Sequence, residues 1–160
     1  MFETKRCSIH AFKESDSAEV KKLYLNHEVR KYLGGIRKEE AVEAVLDDML
    51  HSSEDSYYWV VREKHTDYFI GLISIDPHHD GTYVEISYQF LPDWWGRGYA
   101  TETVGFILRV AFTELNLSKV IAETQTANVS SRKLLERLGM KLERTTTRFG
   151  AEQAIYSIER

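Results

Sequence analysis

Leu91-Pro92-Asp93-Trp94-Trp95-Gly96-Arg97-Gly98-Tyr99-Ala100-Thr101-Glu102 is the stretch that decides the fold. It lies between a strand-like run, Tyr83 to Leu91, and a helix-like run, Thr101 to Leu115. Two glycines one residue apart at a strand-to-helix junction expose successive backbone N–H groups. The helix that follows aims the positive end of its dipole at the same point. Together they make a receptor for a phosphate or diphosphate. Arg97, between the glycines, adds a charge-assisted donor. A Walker A loop is excluded, because no Gly-Lys-Ser/Thr closes the turn. A Rossmann fingerprint is excluded, because it needs three glycines early in a βαβ unit. Gly-x-Gly by itself also fits a plain turn, so the rest of the chain decides between them.

Upstream, Tyr57 to Arg62, Tyr68 to Ile75 and Tyr83 to Leu91 are β-branched and aromatic runs parted by turn residues. That is the pattern of an antiparallel meander. Residues 3 to 12 read as another strand. Asp16 or Ser17 caps a helix with apolar positions Ala18, Val20, Leu23, Tyr24 and Val29. After Gly34-Gly35, Lys38 to His51 repeats apolar residues at helical spacing. Downstream, Lys119 to Thr126 is a strand, and Asn128 caps a short helix closed by Gly139. Met140 to Phe149 and Gln153 to Ile158 form a hairpin about Gly150. The order is β-α-α-β-β-β-α-β-α-β-β. The strands flanking the glycine-loop helix are expected to run parallel, joined right-handedly. The expectation is an α/β fold in a single domain spanning 1–160: a mixed, mostly antiparallel sheet of about six to seven strands flanked by helices.

Composition narrows the function. The net charge of −4 gives no basis for general nucleic-acid binding. No run of about 18 apolar residues exists to span a membrane. The stretch Met1 to Arg6 lacks the apolar core of a signal peptide. Cys7 is alone, so no internal disulfide forms, and the expected location is a reducing cytoplasm. His78-His79 has no Cys or spaced His partner, so it reads as a solvated turn and no metal is expected.

Trp95-Gly96-Arg97-Gly98-Tyr99-Ala100 resembles the diphosphate loop of the GNAT superfamily of acetyl-CoA-dependent N-acetyltransferases, with Trp95 in place of the usual Gln or Arg. Trp94 to Glu102 is similar to the form in the ribosomal-protein N-terminal (Rim-type) branch, as are Glu3-Thr4-Lys5-Arg6 and His27 to Leu33. Asn128 to Gly139 resembles the family's Asn-x-x-Ser…Leu-Gly element. The resemblance covers nearly the whole chain. It implies an acetyl-CoA site between two strands that splay apart. Gly96, Arg97, Gly98, Tyr99, Ala100 and Thr101 would hold the diphosphate. Backbone groups near Phe90 and Leu91, together with Asn128, would hold the pantetheine arm. Ser131 would face the sulfur as a proton donor, although Asn128 with Ser131 also reads as an ordinary helix cap.

Alternation along Tyr83 to Leu91 puts Glu85, Ser87 and Gln89 on one polar strand face. Glu85 is the candidate general base for an amine that attacks the thioester directly. Cys7 has no His or acid spaced to make it a nucleophile. The expected acceptor is a peptide or protein N-terminal α-amine, with a small primary amine second. Near pH 7.5 an α-amine is neutral roughly two to three decades more often than a lysine. A non-catalytic CoA-binding sensor and a plain interaction domain are the rival readings, and the sequence leaves the oligomeric state, a homodimer included, open.

Overall fold

The structure is a computed structural model and describes residues 1–52, 54–79 and 81–160. Eight strands form one sheet: β1 (Phe2–Glu3), β2 (Cys7–Ala11), β3 (Tyr57–Glu63), β4 (Phe69–Pro77), β5 (Val84–Phe90), β6 (Lys119–Gln125), β7 (Lys141–Arg148) and β8 (Ala151–Glu159). Their spatial order is β1-β2-β3-β4-β5-β6-β8-β7. Among the described residues, only β5 and β6 run parallel. The helix between them, α4 (Tyr99–Thr113), supplies the crossover that a parallel pair requires. Among the described residues three α-helices precede β3: α1 (Ser17–Tyr24), α2 (His27–Arg30) and α3 (Glu39–Leu50). A fifth, α5 (Val129–Arg137), follows β6.

Two boundaries differ from the sequence reading. The strand expected over residues 3 to 12 is two antiparallel strands, which raises the count to eight. A tight turn reverses the chain: the Thr4 amide donates to the Cys7 carbonyl at 2.9 Å, and the Cys7 amide donates to Thr4 Oγ1 at 3.2 Å. The first expected helix also breaks. Asn26 leaves helical geometry and its side chain accepts from the Val29 amide at 3.0 Å, so it caps α2 and ends the run from α1. The last hairpin is as expected, closed by Phe149 and Gly150, both with positive φ.

Both sheet faces are covered. One carries α4 and α5 over Ile73, Ile75, Ile86, Phe90, Ala122 and Tyr156. The other carries the α1–α3 layer over Val60, Phe69 and Leu72. A central strand buried on both sides needs apolar residues of both parities, as in Phe69-Ile70-Gly71-Leu72-Ile73. Gly71 is the close point between β4 and β5. A Cβ there would overlap the Gln89 carbonyl and stand 2.6 Å from Phe90 Cδ1 and 3.0 Å from Phe90 Cα. Gly71→Ala is therefore expected to destabilise the fold by about 1–3 kcal/mol through overpacking. A urea midpoint equal to that of the parent would contradict this account of the β4–β5 approach.

Candidate active site

Strand β5 pairs with β4 along its whole length, from Pro77↔Val84 to Gly71↔Phe90. With β6 it pairs at only two positions, Val84↔Val120 and Glu85↔Ile121. Beyond that point β5 and β6 part. The Leu91 amide donates to the Ile70 carbonyl at 2.9 Å, so its polar backbone groups face β4. Alternation then turns those of Ile86, Tyr88 and Phe90 toward the parting. This corrects the expectation for Leu91, whose amide is committed to the sheet. Phe90 faces the parting, but Trp95 Nε1 donates to its carbonyl at 2.8 Å. The amides of Tyr88 and Phe90 remain as donors on that edge.

The glycine loop closes the open end of the parting. Gly96 (φ +70°) and Gly98 (φ +82°) both take the left-handed region. Gly98 is the N-cap of α4, which starts two residues earlier than the sequence suggested. The first intrahelical bond runs from the Glu102 amide to the Gly98 carbonyl, 3.0 Å. The amides of Gly98, Tyr99, Ala100 and Thr101 precede it and have no intrahelical partner, the arrangement that an anion receptor requires. Arg97 is exposed and folds back on the loop. Its Nη1 donates to the Asp93 carbonyl at 3.0 Å, and its guanidinium lies 4.9 Å from the Trp94 ring.

Sequence reasoning missed what holds this loop in place. Glu102, in the first turn of α4, accepts from Thr4 Oγ1 (2.5 Å), the Arg6 amide (2.9 Å) and Arg6 Nε (2.7 Å). Arg6 Nη1 donates to the Arg97 carbonyl at 3.0 Å, and its guanidinium stacks 3.9 Å from the Tyr99 ring centroid. Burial works to raise the Glu102 pKa, but the bonds from Thr4 and Arg6 hold it below the ordinary carboxylate range. Arg6 thus neutralises a carboxylate that would otherwise repel an anion at the helix terminus. The 96-residue separation of these partners leaves no local signal in the sequence.

At the closed end of the parting, the Glu123 backbone amide faces Glu85 and works to favour its ionised form. Burial raises the Glu85 pKa to about 7; His78 opposes the rise, while Asp76, directly across on β4, and Glu123 add to it. Glu85, Asp76 and Asp48 line one cavity of about 310 Å³ with Tyr24, Tyr58 and Gln89. It lies on the sheet face covered by α1 and α3. Burial also raises the Asp76 pKa.

On the opposite face, the Tyr88 and Ser131 hydroxyls lie 2.7 Å apart, joining β5 to α5. Asn128 caps α5, its side chain accepting from the Ser131 amide at 3.2 Å. Burial pushes Tyr88 up to about 12, so it stays protonated at neutral pH. Tyr88 escaped the sequence reading because it falls on the apolar parity of β5. Burial pushes the Cys7 thiol up to about 11, which leaves it no thiolate to act as a nucleophile.

The histidine turn also differs from expectation. His79 is exposed, but His78 is 3% exposed. Their Nε2 atoms meet Glu123 Oε1 at 2.7 and 3.1 Å, and Arg148 Nη2 donates to Glu123 Oε2 at 2.5 Å. Both carboxylate oxygens are thereby engaged within the protein. Burial works to raise the Glu123 pKa, and these partners hold it below the ordinary range.

A helix N-terminus with unpaired amides, a parted strand pair and an acid-lined cavity thus border strand β5. The model of the acetyltransferase (GNAT) domain matches residues 6–141, and the chain belongs to that family. It is an N-acetyltransferase, with acetyl-CoA as co-substrate. It is 29% identical over 141 residues to the uncharacterized N-acetyltransferase YnaD of Bacillus subtilis, covering 88% of this chain and 82% of YnaD. Its fold matches spermidine N-acetyltransferase from Vibrio cholerae, solved with CoA and spermine, with a TM-score of 0.82 at 19% identity over 96% of this chain and 95% of that one. It matches ribosomal-protein-S5-alanine acetyltransferase from Vibrio fischeri with a TM-score of 0.80 at 18% identity, over 99% and 95% of the two chains. Fold likeness therefore does not choose between these acceptor classes. No helix among the described residues is long and apolar enough to cross a membrane.

Gly98→Asp is expected to abolish CoA binding, because a carboxylate and a Cβ would enter the receptor. Arg6→Ala leaves Glu102 unneutralised and is expected to weaken CoA about tenfold, or about 1.4 kcal/mol. Calorimetric titration checks both, and unchanged affinities would remove the loop from the site.

Proposed function

We propose that this N-acetyltransferase acts on a small primary amine carrying more than one positive charge, with Glu85 as the general base. The observation that carries this reading is the convergence of Asp48, Asp76 and Glu85 on one cavity. One carboxylate suffices to take a proton. The others favour an acceptor that keeps a second cation while its reacting amine becomes neutral. Tyr24 and Tyr58 offer ring faces for the intervening methylenes or the distal charge. The spermine bound to the Vibrio cholerae enzyme is of this chemical class.

Acetyl-CoA brings the activated acyl group, and the other requirements fall to this chain. The amides of Gly98 to Thr101 bind the diphosphate. The Tyr88 and Phe90 amides orient the pantetheine arm, and one of them donates to the acyl oxygen as it gains negative charge. The cap uses only the side-chain oxygen of Asn128, which leaves its side-chain Nδ2 as a further donor for that arm. Glu85 takes a proton of the ammonium group, and the neutral amine so formed attacks the thioester carbonyl. Ser131 Oγ, linked to Tyr88, holds a proton for the departing sulfur.

A peptide or protein N-terminus, as in the Rim-type branch, is the second reading. It is favoured by the Glu85 pKa of about 7, which lies within about one unit of an α-amine, so proton transfer between them is nearly balanced. A thiol-release screen separates the two. Di- and triamines are expected to exceed monoamines and free-N-terminal peptides in kcat/KM. A preference for a free-N-terminal peptide over its N-blocked twin and over polyamines would overturn the first reading.

A second prediction concerns pH. Glu85 must be ionised to act, so kcat/KM is expected to fall as pH drops below about 7, the value to which burial raises this carboxyl. Glu85→Gln should remove that limb and lower kcat about 10²–10⁴-fold, with little change in acetyl-CoA KM. Wild-type kinetics across pH in this variant would exclude Glu85 as the base.

A further inference from the structure

Arg30 is only 5% exposed. Among the described residues no carboxylate lies within ion-pair distance of it, and burial works to lower its pKa. A buried guanidinium without a counter-ion persists only where oxygen acceptors surround it. Three do. Nε donates to the Gly35 carbonyl at 3.1 Å, Nη2 to the Leu33 carbonyl at 2.7 Å, and Nη1 to Gln89 Oε1 at 3.1 Å. Gly34 (φ +91°) and Gly35 (φ +82°) give the loop the left-handed turn that brings its carbonyls back onto α2. The Leu33 and Gly35 amides both donate to the Arg30 carbonyl, at 3.0 and 2.9 Å. At its far end the loop is tied to α1, the Arg37 amide donating to the Tyr24 carbonyl at 3.2 Å. The Arg30 guanidinium lies 5.2 Å from the Tyr24 ring centroid. Tyr24 and Gln89, the two side chains that Arg30 joins to this loop, both line the acid-walled cavity.

We propose that Arg30 is a positioning residue: it fastens the loop of residues 31–37 to two walls of the acceptor cavity, and thereby sets acceptor binding without affecting the cofactor side. This rests on reading that cavity as the acceptor site. A lysine cannot replace the planar fork that reaches three acceptors at once. Arg30→Lys and Arg30→Met are both expected to raise acceptor KM, the Met variant by about tenfold or more, with acetyl-CoA KM within about twofold of the parent. Because Arg30 acts through Gln89, adding Gln89→Leu to Arg30→Met should raise KM by less than the product of the single effects.

The test uses steady-state kinetics with the best amine from the screen, together with amide hydrogen exchange. In Arg30→Met, faster exchange confined to residues 31–37 with a raised acceptor KM supports the proposal. An unchanged acceptor KM, or equal losses for acceptor and acetyl-CoA, overturns it. Asp76→Asn separates that failure from failure of the cavity reading. If Asp76→Asn raises acceptor KM while Arg30→Met does not, only the role of Arg30 falls. If neither does, the cavity is not the acceptor site.

Discussion

The early end of β5–β6 pairing is the constraint on which the rest of the structure depends. A parallel ladder that stops after Glu85↔Ile121 exposes backbone donors and acceptors in the middle of a covered sheet. Such groups are costly unless something bonds them. The chain meets the need piecemeal. Trp95 Nε1 donates to the Phe90 carbonyl, the Tyr88 hydroxyl reaches Ser131, and the Glu85 carboxylate faces the Glu123 amide. The backbone amides of Tyr88 and Phe90 are left on the open edge, where we propose that a pantetheine arm, with its two amide groups, pairs like a strand.

Charge is divided by the same sheet. The N-terminus of α4 and the left-handed glycine loop favour an anion at the open end of the parting. The cavity behind the closed end gathers Asp48, Asp76 and Glu85 and favours a cation. Between them, Arg6 prevents Glu102 from spoiling the anion receptor, and His78 with Arg148 keeps Glu123 ionised beside Glu85. With Glu123 held as a carboxylate and Asp76 opposite, burial carries Glu85 into the range where it can exchange a proton near neutral pH.

Features carried by local pattern were legible in the sequence. The meander of β3 to β5, the glycine loop leading into α4 and the Asn128 cap all follow from alternation, helical spacing and turn chemistry. The parity of β5 correctly put Glu85 and Gln89 on one face. What escaped were contacts between residues distant in the chain. Arg6 with Glu102, Arg30 with Gln89 and His78 with Glu123 are separated by 96, 59 and 45 positions. Each side chain reads locally as an ordinary surface charge or turn residue, and only the sheet order brings the partners together. The backbone assignment at Leu91 failed for another reason. Which amides face a parting depends on the hydrogen-bonding phase with β4, and alternation of side chains alone does not fix that phase.

The central claim is that one parting of the sheet receives the acyl-coenzyme A arm while Glu85, at its closed end, receives the amine. The most direct measurement is a crystal structure with a bisubstrate analogue in which coenzyme A is joined through its sulfur to a diamine. The account predicts the diphosphate on the Gly98 to Thr101 amides, the arm paired with Tyr88 and Phe90, the sulfur beside Ser131, and the nitrogen within hydrogen-bonding reach of Glu85. A nitrogen outside the cavity of Asp48, Asp76 and Glu85, or an arm that does not enter between β5 and β6, would contradict it.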